Sequence, residues 1–434
     1  MDTGVRRRAL LVGPALAAAA SVASAAAAPA ARGAVHPGGF SPAGLRRLAR
    51  YLDADTDPAA GPSHLGAVVL LARAGQVRHW QAHGRRDIGR REAMPPDAIF
   101  RIYSMSKPIA SVALLMLLEE GRATLDDPVA RFLPEFADLP LWAGGGVDSP
   151  LLRAPMRAPA LRHLLTHSAG FALAGDDPAR ALLDRADPQG AADLADYARR
   201  VARAPLGAEP GARFVYDGVH TEVLCRVVEV IAGQPFGRFL QQRLFGPLGM
   251  VDTGFEVPAA QRGRIADLTV VGDGGRLVLA PPGRDRSAQA PGRRLRDYDS
   301  GAGGLYSTAA DYLCFAQMLL DDGRWRGRRL LARHSVEAMR RHHLAHLDPI
   351  AGLGAGEGFG LGVSVLLDPA RRGRLGSPGS FGWPGAATTT FFVDPRERLV
   401  ALLLMQHLPQ GDGPGEPRRP ATAFHNLVYQ ALDP

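Results

Sequence analysis

Apolar residues recur along the chain with two different periods, and the periods change in blocks. The segment SPAGLRRLARYLDAD, 41–55, predicts a helix with Ser41 as its N-cap and Pro42 at the first position. GAVVLLAR and VRHWQAHGRRD follow, joined through Ala74-Gly75-Gln76, and predict a β-hairpin. From 104 to 310 helical patterns dominate, at 105–120, 158–167, 191–203, 219–232 and 235–244, with Pro- and Gly-rich joins. The stretch 272–304 is dense in Gly, Pro, Asp and Arg and reads as a long loop. Strand patterns return at FGLGVSVLLD (359–368), TTTFFVDP (388–395) and RLVALLLMQ (398–406), and a closing helix covers 421–432. No internal repeat is visible.

Strands therefore lie at both ends and helices in the middle. This predicts an α/β (α+β) fold: one antiparallel sheet flanked by helices, built from both chain ends, with an inserted all-helical subdomain. The α/β part is 41–103 with 305–434, and the helical part is 104–304. The junction of two such parts is a cleft where ligand sites tend to form.

Composition sharpens this picture at one residue. Of 51 basic residues in 434, a single one is lysine, Lys107. Arginine keeps its proton at any working pH, whereas a lysine can release its own when its surroundings demand it. The lone lysine thus marks a position that needs an amine. The net charge of +8 comes from arginines scattered in ones and twos, the densest patches being Arg6–Arg8 and Arg284, Arg286, Arg293, Arg294 and Arg296. Neither has the aromatic interleaving of a nucleic-acid surface, so no nucleic-acid partner is expected. Cys225 and Cys314 both lie in apolar helical patterns and read as buried free thiols, without a disulfide framework or a Cys-based metal site.

The amino end has the layout of an export signal. Arg6, Arg7 and Arg8 precede the apolar run Ala9–Ala20 and an Ala23-Ser24-Ala25 site, so 1–25 reads as a signal peptide. Arg7-Arg8-Ala9-Leu10-Leu11 also fits a loose twin-arginine pattern. Residues 26–40, rich in Ala, Pro and Gly, read as a disordered lead-in to a domain at 41–434. The expectation is an exported protein, periplasmic or secreted. No later apolar run is long enough for a membrane span.

The chemistry centres on Lys107. In FRIYSMSKPIASVALLMLLEEG, 100–121, the helix is apolar on nearly every side from Ile109 to Leu118, and Pro108 is tolerable only in its first turn. Ser104 therefore stands at the helix start, three residues before Lys107, on the same face. Free N–H groups and the positive helix end favour a neutral amine and stabilise an oxyanion there. This is the physics of an S-x-x-K pair, a serine nucleophile with a lysine able to take its proton. The plainer alternative is an N-cap serine beside a salt-bridging lysine.

The segment 100–136 resembles the nucleophile region of the serine β-lactamase-like superfamily, which holds class C β-lactamases, DD-peptidases and family VIII carboxylesterases. LRHLLTHSAGF (161–171), FVYDGVHTEVLCRVVEVIAG (214–233), GAGGLYSTAADYLCFAQMLL (301–320) and GSFGWPGAATTTFFVDP (379–395) follow in family order, so the resemblance covers roughly 41–434. It implies a β-lactamase/transpeptidase-like fold with Ser104, Lys107 and Tyr216 as catalytic residues and no cofactor. It also implies an oxyanion hole of the Ser104 and Ala386 backbone N–H groups. Where β-lactamases carry Asn two residues after the tyrosine, this chain has Gly218, and in place of Lys-Thr-Gly it has Trp383-Pro384-Gly385. An amide and a cation that would bind a β-lactam are thus absent. Trp383 offers an apolar wall with one N–H. With Gly218 and Gly385 it forms a substrate-binding set suited to an uncharged small-molecule ester. Thr388 stands where these esterases often have Gly.

The expected function is a serine carboxylesterase closest to family VIII. The alternatives are a β-lactamase or DD-peptidase, a transesterase, and a non-catalytic binding protein of the same fold. No G-x-S-x-G elbow occurs in the chain. His163 and His167 are read as sharing a helix face without a carboxylate partner, and His342, His343 and His346 as a solvated helix end rather than a metal site. No metal is expected.

Overall fold

The computed structural model describes residues 39–59, 63–171, 178–281, 290–411 and 415–433, together with Met1. The chain divides into a short unit, 1–35, and a long one, 36–434. The signal-peptide reading lies outside the described residues, as does nearly all of the lead-in. No described helix is long and apolar enough to cross a membrane.

The long unit is organised on a seven-stranded antiparallel sheet. Its strands are β1 Gly66–Arg73, β2 Gln76–Gly84, β3 Glu357–Phe359, β4 Ser364–Leu366, β5 Phe381–Gly385, β6 Thr389–Asp394 and β7 Leu399–Met405. The order is β3-β4-β5-β6-β7-β1-β2. The amino-terminal hairpin is thus added to the last strand, with Val69 opposite Leu403. β1 and β7 are buried along nearly their whole lengths because both faces of the sheet are covered.

On one face, Val69, Leu71 and Leu403 pack with Leu48 and Leu52 of helix α1 (Pro42–Asp55) and with Phe424 and Val428 of the closing helix at Ala421–Ala431. Ser41 caps α1, its hydroxyl accepting from Gly44 N–H at 3.3 Å. On the other face, Val68, Leu70, Leu402 and Phe391 pack against the helical part. The centre of that part is α2 (Ser106–Glu119), buried on every side from Ser106 to Leu117. Beside it run α3 (Leu161–Leu165), α4 (Leu194–Val201), α5 (Val219–Ala232) and α6 (Ala309–Leu320).

The structure departs from the pattern-based reading in local ways. The middle of the chain is not purely helical: Leu141–Gly146 pairs with Ser149–Arg153, and Thr269–Val271 pairs with Leu277–Leu279, the second of which lies inside the stretch read as loop. The run 359–368 is broken into two strands. At the break, Leu361 N–H bonds Met339 O and Gly362 N–H bonds Leu165 O, each at 2.9 Å, so backbone groups that would continue a ladder serve neighbouring loops instead. Cys225 is buried, but Cys314 is only partly so, and both are free thiols.

Candidate active site

The approach to Ser104 is conformationally unusual. Tyr103 has φ +41°, the left-handed region that a bulky residue enters at a cost of about 1–3 kcal/mol. Its surroundings hold it there. Ile102 N–H bonds Leu305 O at 3.0 Å. On the other side, the buried Tyr312 hydroxyl of α6 donates to Met105 O at 2.9 Å. The Gln406 amide, just past β7, brackets Arg101 by accepting from its N–H and donating to its carbonyl, both at 3.0 Å. Ser104 sits in the resulting single 3-10 turn that runs straight into α2, partly exposed.

Lys107, only 4% exposed, reaches back along the first turn of α2. Its Nζ lies 3.4 Å from Ser104 Oγ and donates to Ala302 O at 2.7 Å. The amine also stands 4.9 Å over the ring of Tyr216, in cation–π range. When the amine is neutral, one N–H stays on Ala302 and the lone pair is left for the serine proton.

Tyr216 lies in the coil before α5, 39% exposed, with its ring 4.9 Å from that of Trp383. Trp383 Nε1–H donates to the Tyr216 hydroxyl at 2.8 Å. Because an indole nitrogen can only donate, the tyrosine oxygen is the acceptor and its own proton remains available to another group. Trp383 is carried by β5, which passes tightly over the Ser104 loop. A Cβ on Gly385 would lie 2.4 Å from Ile102 O and 2.2 Å from Thr389 Oγ1. Glycine at 385 is therefore a matter of clearance. Ala386 follows directly. Thr388, in the turn to β6, has φ +59°, a glycine-like conformation, and its hydroxyl donates to His407 O at 2.8 Å. Gly218 caps α5, and a Cβ there would come into van der Waals contact with Ala302 Cβ, at 3.4 Å. The structure thus gathers Ser104, Lys107, Tyr216, Trp383, Gly385 and Gly218 around one place.

The histidines behave differently from the sequence reading. α3 ends at Leu165, and His167 has φ +52°, so His163 and His167 do not share a helix face. His163 Nδ1 accepts from Ala160 N–H at 3.0 Å, and burial pushes its imidazole down to about 4. His167 is fully buried behind Tyr216, with ring centroids 4.9 Å apart, and its carbonyl holds Val215 N–H at 2.9 Å. Burial, then the neighbouring His220 and Lys107, push its ring far below the usual histidine range, so it is neutral.

A carboxylate does come near. His167, Asp217 and His220 bring candidate ligand atoms within 4.8 Å of one another. Those of His220 are already engaged: Nε2 accepts from Ala169 N–H at 3.1 Å and Nδ1 donates to Asp217 at 2.7 Å. The group reads as a hydrogen-bonded support for the Tyr216 segment. His342, His343 and His346 lie beyond the helix Arg333–Met339, not on its end. His342 Nδ1 accepts from Phe359 N–H at 3.2 Å, and His343 and His346 donate to Ala338 O at 2.8 Å and Gly211 O at 2.9 Å.

On its outer side Tyr216 borders a cavity of about 590 Å³ walled by Val215, Leu347, Pro349, Ile350 and Ala351, with Arg213 as its charged residue. That size suits a small organic ligand, and Leu347, Pro349 and Ile350 give it an apolar side alongside the charge of Arg213.

A serine and lysine at the start of a buried helix, set against an antiparallel sheet built from both chain ends, define a serine hydrolase of the β-lactamase fold. The Beta-lactamase family matches residues 48–423, and the chain belongs to that family. It is 33% identical over 384 residues to esterase EstB of Burkholderia gladioli, spanning 84% of this chain and 92% of the relative. It is 25% identical over 426 residues to a putative D-alanyl-D-alanine carboxypeptidase of Escherichia coli K12, spanning 94% and 92%. Among solved structures it resembles EstCE1, described as a hydrolase with promiscuous acyltransferase activity. That likeness has a TM-score of 0.72 and 26% identity over 90% of this chain and 100% of the other.

Proposed function

We propose that the protein hydrolyses small, uncharged carboxylic esters through an acyl-enzyme on Ser104. Ser104 Oγ attacks the ester carbonyl while Lys107 and Tyr216 take up its proton. The negative oxygen is received by the backbone N–H groups of Ser104 and Ala386. Tyr216 and Lys107 return the proton to the departing alkoxide, and water then releases the acid by the reverse steps. The observation that carries this reading is the contact of Lys107 Nζ with Ser104 Oγ beside the Trp383–Tyr216 hydrogen bond. Trp383 fills the place where a β-lactam carboxylate needs a cation, and the adjoining cavity has apolar walls at Leu347, Pro349 and Ile350. Similarity to EstB, an esterase by name, and the Trp-x-Gly pattern support the family VIII affiliation.

A second reading, hydrolysis of β-lactams or peptides, draws on the similarity to the carboxypeptidase, and Gly218 and Trp383 weigh against it. One comparison separates them: the protein and its Ser104→Ala variant on p-nitrophenyl butyrate and on a chromogenic cephalosporin. Ester turnover lost in the variant is the expected result. Turnover of the cephalosporin alone would transfer the assignment to the second reading, and absence of both turnover and serine-probe labelling would leave a binding protein. We also propose that residues 1–25 direct export, which amino-terminal sequencing of protein from the periplasm or medium tests.

A further inference from the structure

Beyond the amine of Lys107 lies a second ionisable side chain that the acyl-transfer steps do not use. Glu222, in the first turn of α5, is 4% exposed. It is surrounded by Tyr197 from α4, by Tyr298, Ser300 and Arg296 from the segment before α6, and by Cys225 from its own helix. Ser300 Oγ donates to Glu222 Oε1. Two residues further along the same turn, Ala302 O accepts from Lys107 Nζ at 2.7 Å.

That turn is tightly fixed. Ser300 O accepts from Gly304 N–H at 2.7 Å. A Cβ on Gly301 would lie 2.2 Å from Cys225 Sγ and 3.3 Å from Ala110 Cβ, so the turn is clamped between α5 and α2. One rigid element thus receives the lysine at one end and the carboxyl at the other.

We propose that Glu222 is a positioning residue for Lys107 that shares one proton with it across the Ser300–Ala302 turn. With the carboxyl protonated, the lysine is released as a neutral amine facing Ser104. With the carboxylate formed, the lysine is held as an ammonium on Ala302. The physical basis is that a buried carboxylate favours a nearby cation, and coupled sites titrate as a pair. The other groups facing Glu222 do not alter the sign. Burial lifts Tyr197, Tyr298 and Cys225 far above their usual ranges, so they stay neutral, and Arg296 keeps a constant charge. Burial pushes the Glu222 carboxyl itself up to about 7, against the pull of Ser300, Lys107 and the Ala302 N–H, so its charge can change near neutral pH.

The inference rests on Lys107 acting in proton transfer. Its test is Glu222→Gln, which keeps the shape and an oxygen for the Ser300 hydroxyl but cannot ionise. The acid limb of kcat/KM against pH, read with p-nitrophenyl butyrate, is expected about one pH unit lower than in the parent protein. Glu222→Asp, which can still ionise, should return the limb towards the parental position. A limb that stays in place in Glu222→Gln, whatever the height of the profile, overturns the proposal.

Should the glutamine variant not fold, carboxyl-labelled glutamate followed by NMR reads the same coupling. A resonance titrating near 7 should move to higher pH in Lys107→Met, and one that does not move overturns the proposal. Failure of the Lys107 role itself would appear separately, as near-normal turnover by Lys107→Arg.

Discussion

Trp383 Nε1–H points at the Tyr216 hydroxyl from 2.8 Å, and the Lys107 amine stands 4.9 Å over the face of the same tyrosine. The phenol is therefore held from two sides. The indole fixes where its oxygen lies, and the lysine fixes which group its ring faces. A phenolate formed during proton transfer would strengthen the indole hydrogen bond, since charge-assisted bonds are about twice as strong as neutral ones. Trp383→Phe keeps an aromatic wall and removes only the donor. It should lower kcat on p-nitrophenyl butyrate about 10- to 100-fold, with a smaller change in KM and little change in Tm.

Lys107→Arg preserves the charge but removes a group able to accept a proton. Turnover should fall by at least about 10³-fold with the circular dichroism spectrum unchanged. Near-normal kcat/KM in this variant would end the proton-transfer assignment.

Gly385→Ala tests the crossing of β5 over the Ser104 loop. The added methyl would meet Ile102 O and Thr389 Oγ1 at 2.4 and 2.2 Å, so either strand or loop must shift. A loss of about 1–3 kcal/mol in stability is expected by chemical denaturation, together with a disproportionate loss of turnover. If turnover fell only as far as the folded fraction, Gly385 would matter for packing alone.

Much of this arrangement is legible in the sequence where local chemistry and long-range packing agree. The hairpin around Gly75 and the helix at 219–232 fall where their patterns predict because turn glycine, apolar period and burial all coincide there. Ser104 and Lys107 are legible because helix geometry alone fixes a three-residue spacing. The split near Gly360 is not, because its cause is Met339 and Leu165, distant carbonyls with no trace in a run of apolar residues. His167 is misread as helical for a similar reason: its left-handed backbone is set by what it packs against, namely Tyr216, Phe214 and Phe359. Glu222 did leave a signal, an acidic residue inside the apolar run VHTEVLCRVVEV, but its meaning depends on the Ser300–Ala302 turn some eighty residues later.

Stability should fall on acidification through buried histidines. Burial pushes His79 and His163 down to about 4 and His425 down to about 3. In the unfolded chain all three take up protons near 6.5, so below that pH the unfolded state binds more protons and folding weakens. The stabilisation is complete above about 6.5 and is lost as pH falls towards the folded-state values. Around pH 5 the slope is expected to be on the order of 3–4 kcal/mol per pH unit if all three contribute fully. Glu222 and Asp311, whose carboxyls burial pushes up to about 7 and about 6, act with the opposite sign in this range. Urea unfolding at pH 5, 6 and 7 is therefore compared between the parent protein and His425→Gln, and an unchanged slope in the variant would contradict the burial of that ring.

Pairing β1 with β7 imposes an order on biosynthesis. At about 5–20 residues per second, a ribosome needs roughly 15–65 s to travel from the end of β1 to the start of β7. For that interval the nascent hairpin carries an open apolar edge whose partner does not yet exist, an invitation to pair with other chains. A premature stop codon between Ser104 and Leu399 therefore yields a chain that holds Ser104 without the complete sheet that shapes its surroundings.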